Sequence, residues 1–211
     1  MHRRRGGTLF VISAPSGTGK STVARALLEQ VEGLRFSISY TTRPARRGVR
    51  KGEDYHFVDE ARFEAMRAAG AFLEWANVFG HRYGTGIEET RRVLDGAQDM
   101  LLDVDVQGAG QVRKGPISCV SVMILPPDYD TLRDRLQTRG TEGGAQAAGR
   151  LGQAREEAEE YLHFDYLLVN DDVERTVAGL VAIVHAERSR TSRCSGRADE
   201  ILATFPALPR T

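Results

Sequence analysis

The chain has 211 residues, 41% hydrophobic and 27% charged, which suits one sizeable α/β domain with a real core. Its 29 Lys and Arg balance 29 Asp and Glu, so net charge gives no general case for a nucleic-acid or membrane-surface partner. Cys119 and Cys194, distant and outside any C-x-x-C spacing, argue against a disulfide scaffold or zinc site and fit a reducing cytoplasm; no run is apolar enough to span a bilayer or form a signal-peptide core.

After a basic arm (His2, Arg3, Arg4, Arg5) that reads as solvated, the first organised stretch is the apolar run Leu9, Phe10, Val11, Ile12. Ala14-Pro15-Ser16-Gly17-Thr18-Gly19-Lys20-Ser21 follows, and then a helical pattern with Val23, Leu27 and Val31 on one face. Strand, glycine loop and helix in that order are the setting of a phosphate-binding P-loop. Gly17 and Gly19 let the backbone turn its amides onto phosphate oxygens; Lys20 adds a cation and Ser21 a hydroxyl for Mg²⁺. The strict pattern has glycine at the position of Ala14, where a methyl is tolerated if φ stays negative. An ordinary glycine turn capping a helix is the competing reading.

Phe36 to Tyr40 reads as a strand, and Thr41-Thr42-Arg43-Pro44 ends it. A polar loop with Arg46, Arg47, Arg50 and Lys51 precedes a second strand-like run, Tyr55 to Val58. Asp59 is placed to cap a helix that carries Phe63, Met66 and Ala69 and stops at Gly70. Phe72 to Phe79 is read as a strand and 81–85 as a tight connection into a helix with Ile87, Val93 and Leu94, where Thr85 and Glu88 form a capping-box signature. Residues 36–94 differ in rhythm from their flanks and read as an insertion.

Beyond them, Met100 to Val104, Ser118 to Leu125 and Tyr166 to Val169 are apolar runs suited to a parallel sheet buried on both faces. Helical patterns around Tyr129 to Leu136, Arg150 to Leu162 and Val173 to His185 alternate with them, giving a three-layer α/β core. The Gly/Ala patch from Gly143 to Gly149 is a flexible loop or weak helix start, and the tail after Arg188 takes no assignment.

Asp103 and Asp105, two apart on one strand, share a face at the carboxyl end where open α/β sheets bind ligands. A Mg²⁺ or substrate role for them competes with a structural ion pair. Arg43 and Arg46, with Ser39 and Tyr55, form either a second phosphate cradle or a solvated charged loop. Arg135, Arg139 and Arg150 flank the Gly/Ala patch; arginines on a mobile segment near a P-loop serve phosphoryl transfer, which tips the balance toward the cradle.

Taken together, Ser13 to Ser21, Ser39-Tyr40-Thr41-Thr42-Arg43 with Arg46 and Gly48, Gly52-Glu53-Asp54-Tyr55, Glu74-Trp75-Ala76, Tyr83-Gly84-Thr85, Leu102 to Gly108 and Val169-Asn170-Asp171 closely resemble guanylate kinases, in order and spacing over 8–187. The resemblance implies an α/β fold: a P-loop core with a parallel sheet flanked by helices (8–35, 95–137, 165–190), an inserted mixed-sheet GMP-binding subdomain (36–94), a small mobile lid (138–155) and a tail (191–211). It implies Mg²⁺-dependent transfer of the ATP γ-phosphate to GMP, and to dGMP, with small-molecule nucleotides as partners, no nucleic acid or membrane, and either a monomer or a homo-oligomer.

By the same resemblance, Ala14 to Ser21 and Asn170 contact ATP, and Ser39, Arg43, Arg46 and Tyr55 hold the GMP phosphate. Glu74, Thr85 and Asp103 read guanine, with Tyr83 beside them, and Lys20, Arg46, Arg139 and Arg150 are catalytic. Ser21 binds Mg²⁺ with the phosphates, Asp103 or Asp105 acting through water. Chemistry supports Glu74 separately, since a carboxylate accepts from both N1–H and the exocyclic amine of guanine, whereas adenine offers an acceptor at N1 and lacks that amine. Two departures from the family pattern stand out: Val49 where an acidic residue usually follows Gly48, and the Gly/Ala-rich lid, expected to close less readily. The competing functional readings are a catalytically silent interaction module of the same fold and a P-loop kinase for another acceptor.

Overall fold

The computed structural model describes residues 6–45, 55–78, 80–138 and 144–206, with the backbone alone at 138, 144–150 and 197. A five-stranded parallel sheet forms the centre: β1 (Leu9–Ser13), β2 (Leu34–Phe36), β7 (Asp99–Asp103), β8 (Cys119–Leu125) and β9 (Tyr166–Val169), in the order β2-β7-β1-β8-β9. The chain leaves β1 toward β7 and later returns on its other side to β8, so the crevice beyond the carboxyl end of β1 is the topological switch point.

Both faces of that sheet are covered, which is why its strands read as continuous apolar runs. On one face, Phe10, Ile12, Leu101, Val122 and Ile124 pack with Val23 and Leu27 of α1 (Lys20–Gln30) and Val177, Leu180 and Val184 of α7 (Val173–Arg188). On the other, Leu9, Val11, Met100 and Leu102 pack with Ala109 and Val112 of α4 (Val106–Arg113) and with Leu73, and Ile87, Val93 and Leu94 of α3 (Ile87–Asp95) close the cluster.

A second, mixed sheet stands beside the first: β3 (Ser39–Thr41), β4 (Tyr55–Phe57), β5 (Phe72–Val78) and β6 (His81–Gly86), in the order β4-β3-β6-β5. β3 pairs with β4 in parallel and with β6 antiparallel, and β5 pairs antiparallel with β6. α2 (Glu60–Ala68) starts as expected, with the Asp59 side chain accepting from the Arg62 amide, and is followed by Gly70 at φ 65°.

Several expectations need correction. Phe36 to Tyr40 is two strands in two sheets: Phe36 ends β2 against Leu101, and the chain crosses at Ser37 and Ile38 to start β3. Residues 81–86 are strand β6, not a connection, because Gly80 at φ 79° makes a hairpin turn that an alternating polar and apolar reading does not reveal. The capping box at Thr85 does not form: Gly86 is the N-cap of α3 without a side-chain bond, and the Thr85 hydroxyl goes elsewhere.

α4 was not foreseen. Asp105 is not on β7 with Asp103; it caps α4, its carboxylate accepting from the Gly108 amide at 2.7 Å. The Gly/Ala patch is helical from Gly144 onward in α6 (Gly144–Glu159), which runs into a 3₁₀ turn at Glu160–His163. α5 (Tyr129–Thr138) precedes it, and the tail after Arg188 forms α8 (Thr191–Leu202). Among the described residues no helix is long and apolar enough to cross a membrane.

Candidate functional site

The loop from Ala14 to Gly19 leaves β1 at the switch point, and Gly19 is the N-cap of α1 at φ 99°. Gly17 sits at φ 91°, and a Cβ there would stand 2.7 Å from Leu136 of α5. One on Gly19 would stand 2.9 Å from the Asn170 amide nitrogen, so space as well as dihedral requires glycine at both positions. Ala97 is the sole described non-glycine residue of positive φ, so Ala14 meets the condition set for its methyl.

The loop is tied down from behind. Asn170, 2% exposed at the end of β9, donates its amide to the Thr18 carbonyl at 2.7 Å and accepts from the Thr176 hydroxyl at 3.1 Å. Arg135 of α5 donates to the same carbonyl at 3.2 Å and to the Asn170 carbonyl at 3.1 Å. Arg135 is therefore a fixed brace of the loop and not an arginine on a mobile segment. The Ser16 amide, at the front of the loop, donates to Glu157 of α6 at 3.2 Å. Burial raises the Glu157 carboxyl above its ordinary pKa, with nearby Asp105 adding to the rise and the Ser16 amide and Lys20 opposing it.

Lys20 forms an ion pair with Asp103 at 2.6 Å and donates to the Val104 carbonyl. Ser21 donates to the other Asp103 oxygen at 3.2 Å. Thus the loop's cation and hydroxyl converge on one carboxylate at the end of β7.

A cleft of about 760 Å³ opens from Ser21 and Asp103 toward the second sheet, where Ser39, Tyr55, Glu74 and Tyr83 line it; Asp105 lines it too. This size suits a nucleotide-scale ligand. Glu74, only 7% exposed, accepts from the Thr85 hydroxyl at 2.6 Å, a short charge-assisted bond between neighbouring strands. Burial raises the Glu74 carboxyl above its ordinary pKa; the Thr85 hydrogen bond opposes this and nearby Asp105 reinforces it. Thr85 is buried behind Glu74, at 2% exposure.

Arg43 lies with its guanidinium 5.2 Å over the Tyr55 ring, and its Nε is buried without a hydrogen-bond partner. Tyr55 in turn meets Tyr83 edge to face at 6.0 Å. A buried guanidinium N–H left unpaired in a basic, hydroxyl-bearing corner fits an anion as its partner.

The structure therefore brings Ser21, Ser39, Tyr55, Glu74, Tyr83 and Asp103 to one cleft, with Thr85 behind it and Arg43 stacked on its tyrosine. Asp103 stands on the P-loop side, and Asp105 lies near Glu74 across Gly108, where a Cβ would be 3.3 Å from the Asp105 carboxylate and 3.4 Å from that of Glu74. Arg46 and Arg139 lie outside the described residues, as do Gly48 and Val49; Arg150 falls in α6 where only the backbone is described. Sequence reasoning missed the bracing by Arg135, the Glu157 contact and Gln111, which bonds to the backbone of Trp75. For α4 a signal existed, since Val106, Ala109 and Val112 repeat every three residues after Asp105.

A family model described as guanylate kinase matches residues 6–187. Among curated relatives named guanylate kinase, that of Alkalilimnicola ehrlichii is 49% identical over 187 residues, covering 89% of this chain and 92% of its own length. That of Neisseria gonorrhoeae is 45% identical, covering 96% and 98%. Of solved structures, a guanylate kinase from Anaplasma phagocytophilum is similar with a TM-score of 0.73 and 33% identity, over 97% of this chain and 98% of that one.

Proposed function

The chain belongs to the guanylate kinase family, a nucleoside monophosphate kinase that passes the ATP γ-phosphate to GMP, and we propose the residue roles by which it does so. The P-loop from Ala14 to Ser21 is the seat of the ATP phosphates, and Lys20 is the cation that follows charge as it shifts during transfer. Asn170 serves ATP from behind, by holding Thr18 and so the loop's amides in place.

Glu74 carries the choice of acceptor, and the observation behind this is its burial in the cleft with one oxygen already committed to Thr85. An anion so poorly solvated gains most from a ligand with two adjacent N–H donors, as guanine has, and loses most against adenine. Asp105, near Glu74 across Gly108, supports the same end of the cleft, and Asp103 serves the donor side. Arg43, Ser39 and Tyr55 form the cradle for the acceptor phosphate, a role the sequence resemblance gives to Arg46 as well. Arg139 and Arg150 complete the charge on the transferring group.

The Ser21 hydroxyl beside the Asp103 carboxylate is an all-oxygen donor pair of the kind Mg²⁺ takes together with substrate phosphates, so these residues fit the ion. When bound, Mg²⁺ supplies neutralisation of phosphate charge; Ser21 and Asp103 would hold it, Asp103 through water. Cys119 and Cys194 are free thiols, which supports a cytoplasmic setting.

The test is ADP release in a coupled assay with GMP, dGMP, AMP, CMP and UMP as acceptors. Turnover with GMP and dGMP alone is expected, and equal turnover with AMP would overturn the roles given to Glu74 and Thr85.

A further inference from the structure

β5 is the outer strand of the second sheet, and its free edge lies against α4. Three consecutive residues of β5 each meet that helix differently. Leu73 packs in the cluster that holds Ala109 and Val112. Glu74 passes over Gly108, where a Cβ would stand 3.4 Å from its carboxylate. Trp75 exchanges two hydrogen bonds with the Gln111 side chain: its amide donates to Oε1 at 3.0 Å, and its carbonyl accepts from Nε2 at 3.0 Å.

Apolar packing at Leu73 tolerates sliding, whereas two parallel hydrogen bonds fix position along the strand. A carboxamide is needed, because it offers donor and acceptor with the spacing of a peptide group; a carboxylate offers acceptors alone. Gln111 thus stands in for a neighbouring strand where the edge of the second sheet runs along α4. Gly108 and Gln111 are three apart and share a face of α4, and Asp105 caps that helix at the mouth of the cleft.

We propose that Gln111 is a positioning residue that sets the acceptor sheet in register with the P-loop, so that acceptor and donor phosphates meet. The inference rests on the functional reading above. Glu74 and Thr85 are bonded to each other within the second sheet and move as one body, so losing Gln111 keeps that pair together while shifting it along α4 and misaligning it with the P-loop.

The experiment measures kcat and the separate dissociation constants of GMP and an ATP analogue for wild type, Gln111→Ala and Gln111→Glu. For Gln111→Ala, kcat is expected to fall about tenfold to a hundredfold, the scale of an ångström-level misplacement, with each dissociation constant within about threefold of wild type. Gln111→Glu sets a carboxylate against the Trp75 carbonyl and is expected to be at least as slow at pH 8. A protonated carboxyl regains one donor, so its kcat relative to wild type should rise as pH falls toward 5.5. The charges around that position are Glu74 on β5, Asp105 at the head of α4, Arg67 of α2 at 4.9 Å over the Trp75 ring, and Arg113, which is turned to Phe164 at 4.5 Å. The two carboxylates favour protonation of the new Glu, which helps the rescue.

Unchanged kcat in Gln111→Ala, a flat pH ratio in Gln111→Glu, or loss of both variants as unfolded protein would each overturn the proposal, the last because it assigns the pair to stability alone. Absence of GMP-dependent turnover in the wild type would instead overturn the functional reading.

Discussion

The two halves of the cleft solve opposite problems. On the donor side the groups that anchor the loop are already answered: the Thr18 carbonyl by Asn170 and Arg135, Lys20 by Asp103 and Asp103 by Ser21, while the Ser13 and Thr18 hydroxyls are buried without a partner among the described residues. On the acceptor side burial raises the Glu74 pKa, and the Arg43 Nε is buried without a partner among the described residues. The difference teaches where discrimination resides. A braced P-loop accepts any triphosphate presented with the right geometry, whereas a buried carboxylate met by Thr85 alone among the described residues, and a buried guanidinium N–H, favour a ligand that completes both.

The sharpest way to break this contrast is to remove the donor-side cation. Lys20→Ala is expected to lower kcat about 10³-fold with GMP and dGMP alike, measured by coupled ADP release. A loss with GMP but not with dGMP would erase the distinction between the halves. Next in size, Glu74→Gln should cut kcat/KM for GMP about a hundredfold, since the amide accepts from one guanine donor where the carboxylate accepts from two.

The same variant should raise Tm at neutral pH. Because the folded Glu74 pKa lies above its unfolded value, its favourable contribution to folding is present at low pH and is lost as pH rises through the folded pKa. At pH 7 the group is therefore an unfavourable charge, and Gln removes it. The gain in Tm should shrink as pH is lowered into the carboxylate range, and thermal melts from pH 4.5 to 8 check this. In the wild type, kcat/KM for GMP should fall on acidification at a pH above the ordinary glutamate value, as the acceptor protonates; steady-state rates across that range read it directly.

A smaller effect is expected at the brace. Asn170→Ala leaves the Thr18 carbonyl with Arg135 alone, while the Thr176 hydroxyl keeps the Asp172 carbonyl, a loss of about 1–3 kcal/mol in stability. It should raise KM for ATP severalfold and leave KM for GMP unchanged, which steady-state kinetics with each substrate varied in turn would test.

How much of this was legible beforehand differs between the same two halves. The P-loop carries its own signature, because glycine at positive φ next to lysine and serine admits few other uses. The parallel strands announced themselves through burial on both faces, as at Leu101 and Leu102. The acceptor sheet was harder: its short strands alternate irregularly, so β6 passed for a loop and the switch between sheets at Ser37 and Ile38 left no local mark. Thr85 satisfied a capping pattern in sequence, yet its hydroxyl found a stronger partner in the Glu74 carboxylate. Asp105 looked like a strand residue because the apolar run before it gave no sign of stopping at Asp103. Gln111 and Arg135 act through contacts to distant backbone groups, which no spacing rule encodes.

The central claim is that the buried Glu74 chooses the acceptor, and the most direct measurement is equilibrium binding of GMP, IMP and AMP to wild type and Glu74→Gln. IMP keeps the N1–H but lacks the exocyclic amine, so wild type should bind GMP more tightly than IMP and IMP more tightly than AMP, with the spread compressed at least about tenfold in the variant. Equal binding of all three by wild type, or the same spread in Glu74→Gln, would contradict the account.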